Sequence, residues 1–214
     1  MSRDINQLHP LEKMLGEAYV VKCKAAGLNV KITDCMRTKE EQNACFKNGT
    51  TSVIFPYSHH NWGLAFDICQ NVKDNPYPDP ATFDGKAFWD KAISIGRNMG
   101  MTCGGDWISP DRPHFQLDAY GSAVELINKY TLPQYFYQSN DFKIVTPTKP
   151  ITPLSVKKKI LWLQVKLVIN DCPAKLTGKW DDDTKRALRI FWRTKTGKNC
   201  TGNYCSVKCI KLLG

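Results

Sequence analysis

Histidine is scarce in this 214-residue chain, paired cysteines are missing, and no run of 18 or more apolar residues occurs. The lack of such a run excludes an ordinary membrane-spanning helix. The N-terminus, Met1-Ser2-Arg3-Asp4-Ile5-Asn6, leads into a mixed polar helix with no apolar core of signal-peptide length. Neither a secretion signal nor membrane insertion is expected, and synthesis belongs in the cytoplasm. The nine cysteines (23, 35, 45, 69, 103, 172, 200, 205 and 209) are odd in number, which argues against a complete disulfide framework and for mostly reduced, buried thiols. Cys200, Cys205 and Cys209 crowd the tail, yet they include no C-x-x-C pair and no nearby histidine, so buried small side chains are the better reading than a second metal site. Acidic residues are also scarce in one region. Residues 156–214 carry 4 Asp+Glu against 14 Lys+Arg, whereas residues 1–155 carry 16 of each, so the tail holds the whole net charge of +10. A basic tail on a neutral body is built to meet something anionic: nucleic acid, a membrane surface or an acidic wall polymer.

Apolar residues make up 42% of the chain and aromatics 11%, ordinary values for a globular protein of one large domain or of a medium and a small one. Residues 141–155 contain three prolines and no glycine, as expected of an extended, semi-rigid linker. The boundaries expected are therefore a first domain over 1–140, a linker over 141–155 and a second domain over 156–214. In the first, Leu11, Met14, Leu15, Ala18, Val21 and Ala25 form a helical stripe that stops at Gly27. Strands are expected at 28–33, 64–69, 101–103 and 115–117, and helices from Thr38, which opens a capping box with Glu41, and over 85–98. A small, largely antiparallel sheet flanked by helices makes this an α+β domain. The second domain reads as two helices, 156–170 and 181–196, joined by the turn Leu176-Thr177-Gly178-Lys179-Trp180, an all-α module too small for a second enzyme.

Three of the four histidines fall in two stretches dense with chemistry: Ser58-His59-His60-Asn61-Trp62-Gly63-Leu64-Ala65-Phe66-Asp67 and Asp111-Arg112-Pro113-His114-Phe115. A catalytic zinc takes three protein ligands from nitrogen and oxygen donors and leaves a fourth position open. His60, Asp67 and His114 supply such a set. Gly63 and Ala65 keep bulk away from the turn between His60 and Asp67, and Pro113 stiffens the approach to His114. Asp111, three residues before His114, is within reach of attacking water and reads as the general base, with Asp106 a loop brace. Arg37, between a strand and a helix cap, can stabilise a developing oxyanion. Ser58 either contacts substrate or caps a turn, while Gln42 and Trp107 read on their own as packing residues.

These residues resemble the zinc D,D- and L,D-peptidases of peptidoglycan, a family that includes D-Ala-D-Ala metallopeptidases and phage L-alanyl-D-glutamate endolysins. The pattern S-x-H-x-x-G-x-A-x-D is met by Ser58, His60, Gly63, Ala65 and Asp67, the acid-x-x-His element by Asp111 and His114, and R-[ST]-x-x-E-Q by Arg37, Thr38, Glu41 and Gln42. Residues 8–118 carry the resemblance. It implies Zn2+ on His60, Asp67 and His114, catalysis by Asp111 and Arg37, and substrate contacts from Ser58, Gln42 and Trp107. The stretches Gly104-Gly105-Asp106-Trp107 and Asp111 to Gln116 look most like the endolysin branch, which cleaves between L-Ala and D-Glu. Cys103 stands where an aromatic is usual and Cys35-Met36 where Gly-Tyr is usual, departures that bear on fine specificity. The tail resembles a helical peptidoglycan-binding module, through Leu163, Gln164, Leu176 to Trp180, Thr184 and Leu188, diverging from Cys200 onward.

The resemblance thus implies a phage-type endolysin, acting outside the membrane, with residues 156–214 holding peptidoglycan and anionic wall polymers. The alternatives are a D-Ala-D-Ala carboxypeptidase and a zinc-containing wall-binding protein without hydrolysis. Specific nucleic-acid binding is not expected: the tail lacks a recognition motif, and Trp162, Trp180, Phe191 and Trp192 sit at positions typical of core.

Overall fold

A computed structural model describes residues 3–214. The chain forms two compact units, parted between Lys143 and Ile144, with Asn98–Gly100 grouped with the second. In the first unit, helix α1 (Pro10–Ala25) begins at His9, whose Nδ1 accepts the Leu11 amide at 3.2 Å, and Pro10 occupies a helix position that needs no donor. Strand β1 (Val30–Asp34) follows, then helix α2 (Lys39–Lys47) behind the expected Thr38/Glu41 capping box. Strand β2 (Ala65–Gln70), helix α3 (Phe83–Asn98), and strands β3 (Thr102–Cys103) and β4 (His114–Gln116) complete the sheet. Its four strands are antiparallel in the order β1-β2-β4-β3, the α+β architecture expected.

The register of β2 against β4 places the site. Phe66 lies opposite Phe115, and Asp67 opposite His114. Side chains alternate across a sheet, so one pair enters the core and the next faces away from it. Tyr19 from α1 meets both phenylalanines, with ring centroids 5.8 and 4.7 Å away, and all three are fully buried. Each such ring contributes about 1.5–3 kcal/mol to keeping the sheet on the helix. Gly96 on α3 lets that helix close on the same core, since a Cβ there would lie 2.4 Å from Phe115 Cε1.

Helices α4 (Ala123–Tyr130) and α5 (Pro133–Gln138) went unassigned from the sequence. The signal was available: Ser122 and Glu125 form a capping box at the start of α4. Asp141, inside the stretch read as linker, is held by the first unit. Its carbonyl accepts from Tyr120 Oη at 3.2 Å and faces His9 Nε2 at 3.0 Å, and its carboxylate accepts from Lys129 at 2.7 Å.

The second unit contains helices α6 (Lys157–Ile169), α7 (Asp182–Thr196) and α8 (Val207–Leu213). In α6, Ile160 to Val165 are all buried along with Leu167 and Val168, as in a helix surrounded by its own unit. Gln164, inside that core, donates to the Lys179 carbonyl at 2.9 Å and accepts from the Gly178 amide at 2.7 Å, pinning the turn before α7. Ile151 exchanges backbone hydrogen bonds of 2.9 and 2.8 Å with Cys205. Seven of the nine cysteines are buried. Among the described residues no helix is long and apolar enough to cross a membrane.

Candidate functional site

His60 sits on a short 3-10 turn, His59–Trp62. Ser58 caps it, its Oγ accepting the His60 amide at 3.3 Å, and Asn61 reaches back to the Ser58 amide at 3.2 Å. The turn ends at Gly63, whose φ of +64° belongs to the left-handed region. The Gly63 carbonyl accepts from the His9 amide at 2.8 Å, and a Cβ on Gly63 would lie 3.1 Å from the Gln7 carbonyl oxygen. Gly63 was expected to keep bulk away from the turn between His60 and Asp67; the segment that this spares is the N-terminal one, onto which Gly63 closes the chain.

Strands β2 and β4 bring Asp67 and His114 side by side, and the 3-10 turn lays His60 over them. His60 Nε2 is 3.2 Å from Asp67 Oδ1 and 3.1 Å from His114 Nδ1, and His114 Nδ1 is 3.2 Å from Asp67 Oδ1. The outward atoms of these groups are all engaged. His60 Nδ1 is 2.7 Å from the Cys35 carbonyl, which can only accept, so Nδ1 carries a hydrogen and Nε2 is the ring atom that faces the centre. Asp67 Oδ2 accepts from Arg37 Nη2 at 2.9 Å, leaving Oδ1 to the centre. His114 Nε2 faces the Gln116 side chain at 2.8 Å.

Lewis bases crowded this closely repel one another unless positive charge lies among them. The protonation tendencies agree. Burial raises the Asp67 carboxyl, but the charge of His60 and bonds from both histidines override it and hold it well below the usual carboxylate value. Burial lowers His114, but the bond and charge of Asp67 override it and push it up. His60, Asp67 and His114 can hold a metal ion, and two nitrogens with one oxygen are a donor set that suits zinc in a site with an open position.

Around this cluster lies a cleft of about 990 Å³, lined by Arg37, Ser58, Trp107 and Asp111 among others. The loop after β3 is folded by Gly104, whose carbonyl accepts the Asp111 amide at 2.9 Å, while the Asp111 carbonyl accepts the His114 amide at 3.1 Å. Burial, and then the charge of Asp67, raise the Asp111 carboxyl above its ordinary value. The Trp107 ring is centred 5.2 Å from that of His114. Asp106 pairs with Arg97 at the exposed rim, 2.5 Å away.

Arg37 and Gln42 each have protein partners that the motifs did not name. Arg37 lines the cleft, but its guanidinium also clamps two carboxylates, donating from Nε to Asp34 and from Nη2 to Asp67. Gln42 does not line the cleft. It is fully buried, as its packing reading expects, and donates at 2.8 Å to the carbonyl of Val53, which does line the cleft. Sequence reasoning missed Asp34, which faces Asp67 at a bulge between β1 and β2. Its spacing of three residues before Arg37 was the available sign. Thr50, Thr51, Ser52, Val53, Tyr57 and Tyr77 also line the cleft and carried no motif.

A family model described as D-alanyl-D-alanine carboxypeptidase matches residues 55–117, the span from the His60 turn through β4. The peptidoglycan L-alanyl-D-glutamate endopeptidase CwlK of Bacillus subtilis (strain 168) is 32% identical over 124 residues, which cover 52% of this chain and 74% of that protein. The chain belongs to the M15 peptidase family. This M15 peptidase is also 27% identical over 128 residues to the L-alanyl-D-glutamate peptidase of Listeria phage A118, covering 59% of its own length and 43% of the phage protein. The crystal structure of the Serratia marcescens L-Ala D-Glu endopeptidase ChiX aligns over 53% of this chain and 82% of that one, with 20% identity and a TM-score of 0.39.

Proposed function

We propose that this M15 peptidase is a zinc endopeptidase of phage-endolysin type that hydrolyses the L-Ala–D-Glu bond of peptidoglycan stem peptides. The observation that carries the reading is the convergence of His60 Nε2, Asp67 Oδ1 and His114 Nδ1 in the cleft that also holds Asp111. The names of the B. subtilis and phage A118 relatives support the choice of bond. Held by these three residues, zinc would polarise the scissile carbonyl and acidify water. Asp111 takes the proton from the attacking water and returns it to the leaving amine. Arg37 keeps Asp67 ionised and oriented and brings positive charge to the wall of the cleft. Ser58 and Trp107 line the path of the peptide.

Residues 156–214 hold the enzyme on the wall. Support comes from their excess of basic residues and from a cleft of about 300 Å³ in the second unit, beside Trp192, Thr201, Tyr204 and Ser206, suited to a sugar face and its hydroxyls. Tethering of this kind raises the effective concentration of substrate. The enzyme acts on the wall outside the membrane.

A D-Ala-D-Ala carboxypeptidase is the second reading, favoured by the description of the matching family model. One experiment separates the two: incubate purified wild type and Asp111→Ala with defined stem peptides and walls, assay metal content and identify the released termini. The expected outcome is about one zinc per chain in both proteins and new D-Glu amino termini from wild type alone. Release of D-Ala would select the second reading. Zinc without any cleavage would point to a binding protein, and absence of zinc would remove the three-ligand site.

A further inference from the structure

Of the three groups at the centre, His114 has the one outer partner whose chemistry is ambiguous. His60 leans on a backbone carbonyl and Asp67 on a guanidinium, each of which can play a single role. His114 Nε2 leans on a carboxamide, which accepts through its oxygen or donates through its nitrogen. Were the nitrogen turned to His114, the imidazole would have to accept at Nε2 and carry its hydrogen on Nδ1, pointing at His60 and Asp67. That tautomer offers no lone pair to a metal.

Asp118 removes the ambiguity. Gln116 Nε2 donates to Asp118 Oδ1, and a carboxylate in this setting can only accept, so the amide nitrogen faces Asp118 and the oxygen faces His114. Asp118 is in turn held by other donors. Thr102 Oγ1, on the neighbouring strand β3, donates to Oδ2, and His59 Nε2 stands 3.3 Å from Oδ1. The His59 nitrogen also lies 3.1 Å from the Gly121 carbonyl, so with acceptors alone around it, it bears the hydrogen. Gln116 is itself buried, at 7% exposure, and shielded from competing solvent. None of these groups enters the proposed proton transfers.

We infer that Gln116 and Asp118 form a positioning relay that sets the His114 tautomer: Asp118 orients the Gln116 amide, and Gln116 Oε1 holds the hydrogen on His114 Nε2 so that Nδ1 stays open to a metal. The relay serves the proposed metal site and rests on that reading. It also explains why β4 must run in register through Gln116, since His114 and Gln116 lie on the same side of the strand.

The test uses the full chain with Gln116→Met, which keeps length and removes both amide atoms, and Asp118→Asn, which lets the Gln116 amide turn either way. Zinc affinity is measured by competition with a chelator, and the His114 tautomer by ¹⁵N–¹H NMR correlations of the ring in metal-free protein. In wild type, at a pH where the His114 ring is neutral, the hydrogen is expected on Nε2. Gln116→Met is expected to bind zinc 10- to 100-fold more weakly, with hydrogen appearing on Nδ1, and Asp118→Asn to shift both readouts in the same direction by less. Gln116→Glu, which restores an acceptor beside His114, should recover part of the affinity. Wild-type protein whose neutral His114 ring carries its hydrogen on Nδ1 rather than Nε2, or a Gln116→Met variant with wild-type affinity, overturns the relay. Should Gln116→Met not fold, Asp118→Asn with unchanged tautomer and affinity overturns it as well. Failure of wild type to bind zinc would count against the metal site instead, and the NMR readout would still judge the relay.

Discussion

Replacing Arg37 separates two roles that this side chain combines. In metal-free protein its guanidinium lies between Asp34 and Asp67, and the three side chains are only 13%, 5% and 16% exposed, so water screens the charges poorly. Asp34 Oδ1 has no hydrogen-bond partner among the described residues, so Asp34 relies on Arg37 through its other oxygen. Arg37→Met keeps the aliphatic stem and leaves two buried carboxylates facing each other across β1 and β2. Removing one partner of a buried ion pair costs about 3–5 kcal/mol. For a chain of this size that corresponds to a fall in Tm of roughly 6–20 °C, readable by calorimetry or circular dichroism. Adding Asp34→Asn to the variant removes the orphaned charge and should recover a large part of the loss. A fall below about 2 °C for Arg37→Met in metal-free protein would refute the clamp. Activity then isolates the second role. If Arg37 also stabilises an oxyanion, the double variant recovers stability while kcat stays about 10²- to 10³-fold down. Recovery of both would leave Arg37 as a clamp alone.

Gly104→Ala removes no chemical group, but its Cβ would lie 2.4 Å from the Asp111 carbonyl oxygen and 3.0 Å from His114 Cβ. The loop must shift, and kcat/KM should fall about 10²-fold, as for other misplacements of about 1 Å; wild-type activity would show that the loop yields harmlessly. Zinc uptake, followed by chelator competition between about pH 5 and 8, should weaken toward acid, because His114 must be neutral to ligate and its raised value brings protonation closer to neutrality; flat affinity across that range would contradict the ligand set. In metal-free protein the stabilisation from Asp67 is present above the ordinary carboxylate value and is lost as pH falls below it, whereas that from His114 is present below the ordinary histidine value and is lost as pH rises through its raised one. Retention on isolated walls should drop when salt is raised from about 0.1 to 1 M, which shortens the screening length from roughly 10 to 3 Å; salt-insensitive retention would shift the weight to the cleft beside Trp192 and Tyr204.

Reading along the chain captured the features that local chemistry dictates. The Thr38/Glu41 box and the alternation around Phe66 and Phe115 are statements about neighbours a few residues apart, and periodicity reports such neighbours directly. Helix α1 was expected too, but its buried face runs through Leu11, Leu15, Tyr19 and Cys23, whereas Val21 and Ala25 of the expected stripe are exposed. The same holds for His60, Asp67, Asp111 and His114 as candidates, since each sits in a short stretch of distinctive residues. What lay beyond reach depends on register and on contacts between distant segments. The alternation of Phe115 and Leu117 with His114 and Gln116 tells which face of β4 enters the core, but not that His114 comes to lie opposite Asp67; pairing with β2 decides that. The clamp of Arg37 on Asp34 and Asp67, the Cys35 carbonyl behind His60, and Gln42 beneath the 49–53 loop each join residues whose types are common and whose meaning comes from what folding sets beside them. Chain chemistry named the groups that can act, and packing assigned each its partner, because charge, hydrogen bonding and protonation are properties of neighbourhoods that only the folded chain assembles.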